Sequence, residues 1–277
     1  MNTFAAFHPF VQELEAPYTI SSEQVDFYTE YGYVKLPNVL SNELLDYYGH
    51  AITEQVFRLN ELVKPMSERT TYEKAFLQIM NIWTKDELVK NFVFSKRLAK
   101  IATDLMQVKG VRLYHDQALY KEPGGGITPW HADQFYWPLS TPNTITAWIP
   151  LQDTPMNMGP LAFAEKSQGV EMGRDVEISD ESEAILQQEL QQRNFVLNDT
   201  PFAKGEISFH AGWTFHRAGA NTSGEARKVM TMIYMDKDIR ITTPKNSFQQ
   251  NDWNTWCSGY PIGGLPEGPL NPVLFSY

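Results

Sequence analysis

His131 and Asp133 stand two positions apart in PWHADQFYWP, residues 129–138, a stretch otherwise made mostly of aromatic and proline residues. Along a strand, side chains two apart point to one side, so an imidazole and a carboxylate at this spacing can converge on one metal ion. The pattern H-x-D is short, and a hydrogen-bonded structural pair has the same sequence, so a third ligand has to decide. His8 near the start and His50 in a predicted helix read as surface residues, and His115 in VRLYHDQALYK reads as a core or pocket histidine. His210 and His216 flank a turn, AGW, between the strand-like runs GEISFH and WTFH. Arg227 follows His216 and opens the run RKVMTMIYM, so the next strand places a guanidinium beside the strand of His216. His210 has no arginine in an equivalent place, which makes His216 the third candidate.

Two histidines and one carboxylate on one face of an iron ion leave three coordination positions open, the arrangement of non-haem Fe(II) oxygenases. Those positions suit a bidentate 2-oxo acid and O2. The far carboxylate of 2-oxoglutarate would need neutralising inside a pocket, which arginine does bidentately and without titrating near neutral pH. Arg227 fits that role. Two other uses of the same residues stay open at this level. One is a jelly-roll binding protein whose histidines are structural. The other is a zinc hydrolase with His210 or His115 as general base, which leaves Arg227 unexplained.

The elements that must position these residues change character along the chain. Before residue 111 the pattern is helical in pieces: EQVDFYTEY after Ser22, closed by Gly32, then NELLDYYGHAITEQVFRLNELV after Ser41, then two short helices over 86–92 and 95–107. YVKLPNVL between the first two reads as a short strand that Pro37 keeps at an edge. From Val111 the runs VRLYHDQALYK, TITAWIPL, GPLAFAE, RNFVL, GEISFH, WTFH and RKVMTMIYM are β-rich and separated by Gly, Pro, Asn and Asp. This order predicts one mainly β domain: a double-sheet jelly roll over 111–240, wrapped by a mostly helical part over 1–110 and followed by a loop-rich tail over 241–277. The acidic, glutamine-rich segment 171–193 reads as a helical or mobile insertion, and with segment 64–84 it is a candidate lid.

Composition narrows the partners. In 277 residues, 42% apolar against 20% charged provides a core and excludes global disorder. A formal charge of -10, with no basic run, argues against nucleic acid. No stretch of about 18 apolar residues suggests a membrane span. The single Cys257 cannot form an internal disulfide, and the start MNTFAAFHPFVQELEAP lacks a basic region followed by a long apolar one, so a reducing, cytoplasmic setting is expected.

The order H-x-D, then GPLAFAEKSQ, then GEISFH and WTFHRAGANTSGEAR, resembles the phytanoyl-CoA dioxygenase family of Fe(II)- and 2-oxoglutarate-dependent oxygenases. The resemblance runs from about Leu113 to Met235, with weaker echoes in YGYVKLPNVLS and WCSGYPIGGLPEGPLNPV. It implies a double-stranded β-helix, cupin-like in build, in which His131, Asp133 and His216 bind iron and Arg227 binds the 2-oxoglutarate C5 carboxylate. It also places Trp148 near the co-substrate. One departure is Ala218, where some members carry a hydroxyl that helps hold that carboxylate; Thr128, Gln117 and Thr146 are the candidates to replace it. Radical chemistry attacks the nearest C–H bond, so a dry, rigid wall is needed, and Phe135, Tyr136 and Trp137 are expected to meet the substrate. Halogenating relatives carry a small residue where Asp133 stands, so hydroxylation of a small metabolite or natural-product intermediate is the expected outcome. Desaturation, ring formation and oxidative demethylation share the same ligands.

Overall fold

The computed structural model describes residues 9–257 and 260–277, so His8 and most of the chain's start lie outside the described residues. The first part holds α1 (Pro9–Glu15), α2 (Ser22–Tyr31), β1 (Tyr33–Leu36), α3 (Asn42–Leu59), α4 (Thr71–Ala75), β2 (Leu77–Met80), α5 (Glu87–Val93) and α6 (Lys96–Met106). There follow β3 (Gly110–Lys121), β4 (Thr128–His131), β5 (Thr144–Pro150), β6 (Leu161–Ala164), α7 (Asp180–Gln192) and β7 (Leu197–Asp199). The last elements are β8 (Ile207–Ala211), β9 (His216–Ala218), β10 (Arg227–Asp236), α8 (Ser247–Trp256) and β11 (Val273–Ser276).

Local chemistry sets most of these boundaries. Helix α2 starts one residue earlier than the sequence suggests, because Ser21 and Gln24 form a reciprocal capping box, and Gly32 closes the helix at φ 82°. Helix α3 is capped by Ser41 and buries Leu44, Leu45, Tyr48, Ile52 and Val56 along one stripe. RNFVL does not form the expected strand: Arg193 caps α7, Phe195 packs beneath that helix, and pairing begins only at Leu197. Helix α8 was not foreseen, since SFQQNDWNTW has no strong apolar stripe; Asn246 caps it, and its burial comes from tertiary contact.

All strand pairs are antiparallel and fall into two sheets: β1-β8-β5-β10-β3-β11 with β2 also on β3, and β4-β9-β6-β7. This is the jelly roll expected from the strand pattern. Alternation along the large sheet decides which side chains reach the interior. On β10, Met230, Met232 and Tyr234 enter the core beneath the helices, whereas Arg227, Val229, Thr231 and Ile233 face the smaller sheet. On β5, Ile145, Ala147 and Ile149 face the helices while Thr146 and Trp148 face inward. The same parity turns His210 of β8 and Gln117 and Leu119 of β3 inward. Between the two sheets lies a cavity of about 480 Å³. No helix among the described residues is long and apolar enough to cross a membrane.

Candidate active site

Strand β4 ends at His131, and Asp133 is the first residue of a 3-10 turn over Asp133–Tyr136. The strand geometry assumed for the pair therefore stops one residue short of the carboxylate. Ala132 is still extended (φ -125°, ψ 130°) and packs outward beside Trp130, so His131 and Asp133 share a side. His131 is the cross-strand partner of His216, with ring centroids 4.2 Å apart. Asp133 Oδ1 lies 3.7 Å from Nε2 of each histidine, and the three ligand atoms form the one metal-competent cluster found among the described residues.

These contacts are too long for hydrogen bonds and suit three ligands around an ion. The rings are set for it. His131 Nδ1 donates to the Pro129 carbonyl at 2.7 Å and His216 Nδ1 to the Thr214 carbonyl at 2.9 Å, which leaves each Nε2 lone pair facing the cavity. Burial holds both imidazoles down to about 4, His131 further by neighbouring His216 and His216 further by neighbouring His210, so both are neutral and able to ligate at pH 7. Burial alone would raise the Asp133 carboxyl, but His216, His210 and His131 around it hold it well below the ordinary range. Its other oxygen accepts from Thr146 Oγ1 at 2.9 Å and lies 3.4 Å from His210 Nε2. His210 and Thr146 are themselves cross-strand partners, so β8 and β5 together orient the carboxylate. Sequence reasoning set His210 aside for want of an arginine; the inward parity of GEISFH is the signal that would have kept it.

At the back of the same cavity Arg227 is 1% exposed. Its Nη1 donates to the Gly159 carbonyl at 2.5 Å, its guanidinium lies 5.5 Å from the Trp148 ring centroid, and its Nε has no partner. Gly159 (φ 67°) crosses so close to Gly219 that a Cβ would lie 2.1 Å from the Gly219 carbonyl oxygen, so the loop that offers this carbonyl cannot carry a side chain. Lys121 is the cross-strand partner of Arg227 and is fully buried; its Nζ donates to the Gly126 carbonyl and lies 3.4 Å from Thr128 Oγ1. Burial, and then the neighbouring Arg227, pushes the lysine down to about 6. Burial also lowers Arg227, to about 9. Among the described residues no carboxylate pairs with either side chain. The signal for Lys121 was its inward parity at the end of VRLYHDQALYK.

The other expected site residues divide. Thr128 and Trp148 line the cavity beside Arg227. Gln117 lines it too and accepts from Gln78 Nε2 at 2.6 Å, which leaves its own amide NH2 to donate into the cavity. Tyr136 and Trp137 are on its wall, but Phe135 is not: the 3-10 turn rotates that ring into an adjoining groove of about 960 Å³ that it shares with Trp137 and Phe248. The two candidate lid segments supply Tyr72, Phe76, Gln78, Met80 and Ile178 to the cavity, and Thr71 Oγ1 donates to Asp180 across them at 3.0 Å.

The sequence profile of phytanoyl-CoA dioxygenase (PhyH) matches residues 28–229, which spans the triad and Arg227. The chain belongs to the phytanoyl-CoA dioxygenase family. Phytanoyl-CoA dioxygenase domain-containing protein 1 of Danio rerio is 24% identical over 175 residues, covering 60% of this chain and 59% of that protein's length. Among solved structures, the non-haem α-ketoglutarate-dependent carbocyclase SnoK from nogalamycin biosynthesis is 26% identical and superposes with a TM-score of 0.76, over 93% of this chain and 99% of SnoK. The epimerase SnoN, solved with Fe3+, α-ketoglutarate and nogalamycin RO, has 23% identity and a TM-score of 0.75 over 91% of this chain and 98% of SnoN. EctD from S. alaskensis, solved with 2-oxoglutarate and 5-hydroxyectoine, has a TM-score of 0.69 at 18% identity, over 95% of this chain and 94% of EctD. The family, the jelly roll and the triad of His131, Asp133 and His216 are together those of an Fe(II)- and 2-oxoglutarate-dependent oxygenase, whose cofactors are iron, 2-oxoglutarate and O2.

Proposed function

We propose that this protein oxidises a small organic molecule in the cavity between its sheets while 2-oxoglutarate is converted to succinate and CO2. The observation that carries this reading is a buried Arg227 with no carboxylate partner, lining the same cavity as the triad, with Lys121 as its cross-strand neighbour. A buried guanidinium with no counter-charge is costly, and an anion from outside is the natural relief. His131, Asp133 and His216 would hold the iron. Bound there with its co-substrates, iron supplies the oxidising power that cleaves an unactivated C–H bond. Arg227 binds the C5 carboxylate, and Thr128 stands in for the hydroxyl missing at 218: it is the cross-strand partner of Ala218, and its Oγ1 is within reach of Lys121 Nζ. Gln117 donates its free amide toward the co-substrate, and Trp148 fixes the guanidinium from one side. Tyr136 and Trp137 exclude water and hold the substrate against the metal.

Asp133 occupies the position at which a halogenating enzyme has a small residue, which supports hydroxylation. Ring formation is the second reading, favoured by the likeness to a carbocyclase along almost its whole length. A lone buried Cys257 suits a reducing cytoplasm. The test is equilibrium binding under anaerobic conditions with Fe(II) or Mn(II). Arg227→Ala is expected to keep metal and lose 2-oxoglutarate, and His216→Ala to lose both. Wild-type affinity for 2-oxoglutarate in both variants would sink the assignment.

A further inference from the structure

The wall of the cavity formed by β3 and α8 carries a second polar constellation that the metal and co-substrate do not use. Along β10 and β3, Ile233 is opposite His115 and Tyr234 is opposite Leu113, so Tyr114 is an extra residue in the ladder. Such a bulge breaks the alternation and aims two consecutive side chains to one side. Tyr114 joins Trp137 and Ile233 in a small apolar cluster, and His115 lines the cavity. Across from them α8 presents Phe248, Asn251, Asp252 and Trp256 to the cavity, a spacing that places all four on one helical face.

The bulge and the helix are locked together. Tyr114 Oη donates to Asp252 Oδ2 at 3.0 Å, and the His115 ring lies 5.2 Å from Tyr114 and 5.3 Å from Trp256. His115 is 4% exposed and lines the cavity; its Nδ1 is turned to the Asp116 backbone, which leaves Nε2 as the ring nitrogen for a ligand. Burial pushes the Asp252 carboxyl up to about 7; ionised, it has about four lone-pair sites and keeps acceptor capacity after Tyr114 and the neighbouring Trp256 are counted. No basic side chain among the described residues pairs with it. An acceptor held by Tyr114 and an imidazole on the cavity wall, set among Trp137, Trp256 and Phe248, suit a partner that donates to one and engages the other.

We propose that His115 and Asp252 form the substrate-selecting subsite, and that they recognise a hydroxyl group carried on a flat ring, which donates to Asp252 and hydrogen-bonds to His115 while Trp137 and Trp256 flank the ring. A hydroxyl can donate to Asp252 and accept an N–H from His115, whereas an ammonium only donates and engages a neutral imidazole solely at its lone pair. The inference rests on the oxygenase reading only in calling this ligand the substrate.

The probe is 2-naphthol, titrated calorimetrically into the Mn(II)-loaded protein with and without 2-oxoglutarate, alongside 2-methoxynaphthalene and 2-naphthylmethylamine. The naphthol is expected to bind at least about tenfold more tightly than the ether, which would leave buried polar groups unpaired. His115→Phe and Asp252→Leu should bring the two within about twofold while 2-oxoglutarate binding stays unchanged. Asp252→Asn, of nearly the same shape, serves if the leucine variant does not fold, and should lower the preference too. Equal binding of naphthol and ether by wild type, no binding of either, tightest binding of the amine, or a preference that survives these substitutions would overturn the subsite. A naphthol preference in a protein that fails to bind 2-oxoglutarate would instead remove the oxygenase reading and leave the subsite standing.

Discussion

At the scale of single residues, three groups of metal-ligand type converge and others orient them. Thr146 and His210 touch the Asp133 oxygen that does not face the two Nε2 atoms. Removing such support typically costs about 10–100-fold in metal affinity. Thr146→Val is expected to fall in that range in a metal-competition titration, with folding intact because the change is nearly isosteric. Lys121 gives a prediction with a sign. Its folded value, about 6, lies below its ordinary 10.5, so between those limits the unfolded chain binds more protons and stability rises with pH. Lys121→Met should flatten that rise in denaturant titrations of the metal-free protein across pH 6–10, and an unchanged slope would rule the lysine out as its source. The residue types announced most of this: an H-x-D among aromatics, a distal histidine, and an arginine soon after. His210 and Lys121 escaped because neither spacing nor composition distinguishes a buried cation or imidazole from a solvated one; only strand parity and pairing do. Phe135 was misplaced for a similar reason, since a 3-10 turn rather than a continued strand follows His131.

At the scale of elements, strand β4 is short and needs outside support to fix the first histidine. Helix α7 provides it. Glu183 accepts from the Trp130 backbone N–H at 2.9 Å, Ser182 Oγ donates to the Trp130 carbonyl at 3.0 Å, and Gln187 accepts from the indole N–H at 2.8 Å. Arg217, on β9, pairs with Glu183 at 2.8 Å and ties the second histidine's strand to the same helix. The acidic insertion is thus a clamp on the outer face of the metal strands as well as part of the cavity rim. Trp130 is fully buried, so Trp130→Ala should destabilise by about 3–5 kcal/mol in chemical denaturation and weaken metal binding with it. A loss of stability with unchanged metal affinity would show that the clamp and the site are uncoupled. The strands of the large sheet were legible because their alternation is strong. Helix α8 was not, because its docking rests on residues distant in sequence: Gln249, its one buried residue, donates to the Phe135 carbonyl, and Phe248 meets the rings of Phe135 and Tyr136.

At the scale of the whole molecule, two sheets covered by helices enclose a cavity whose parts differ in chemistry: Arg227 at the back, the triad of His131, Asp133 and His216, and a wall of β3 and α8 that carries His115 and Asp252. Anything that binds the folded form alone stabilises it by mass action, by about 2.7 kcal/mol at a hundredfold excess over Kd. Mn(II) with 2-oxoglutarate should therefore raise Tm more than Mn(II) alone, and that extra rise should vanish in Arg227→Ala; its persistence would mean the dicarboxylate binds elsewhere. The uncompensated Arg227 makes the anion-free chain the weaker form, because a buried guanidinium without a counter-charge has been taken out of water uncompensated. An anion seated there would complete an ion pair that the chain itself leaves half made, acting as part of the fold as well as a reactant.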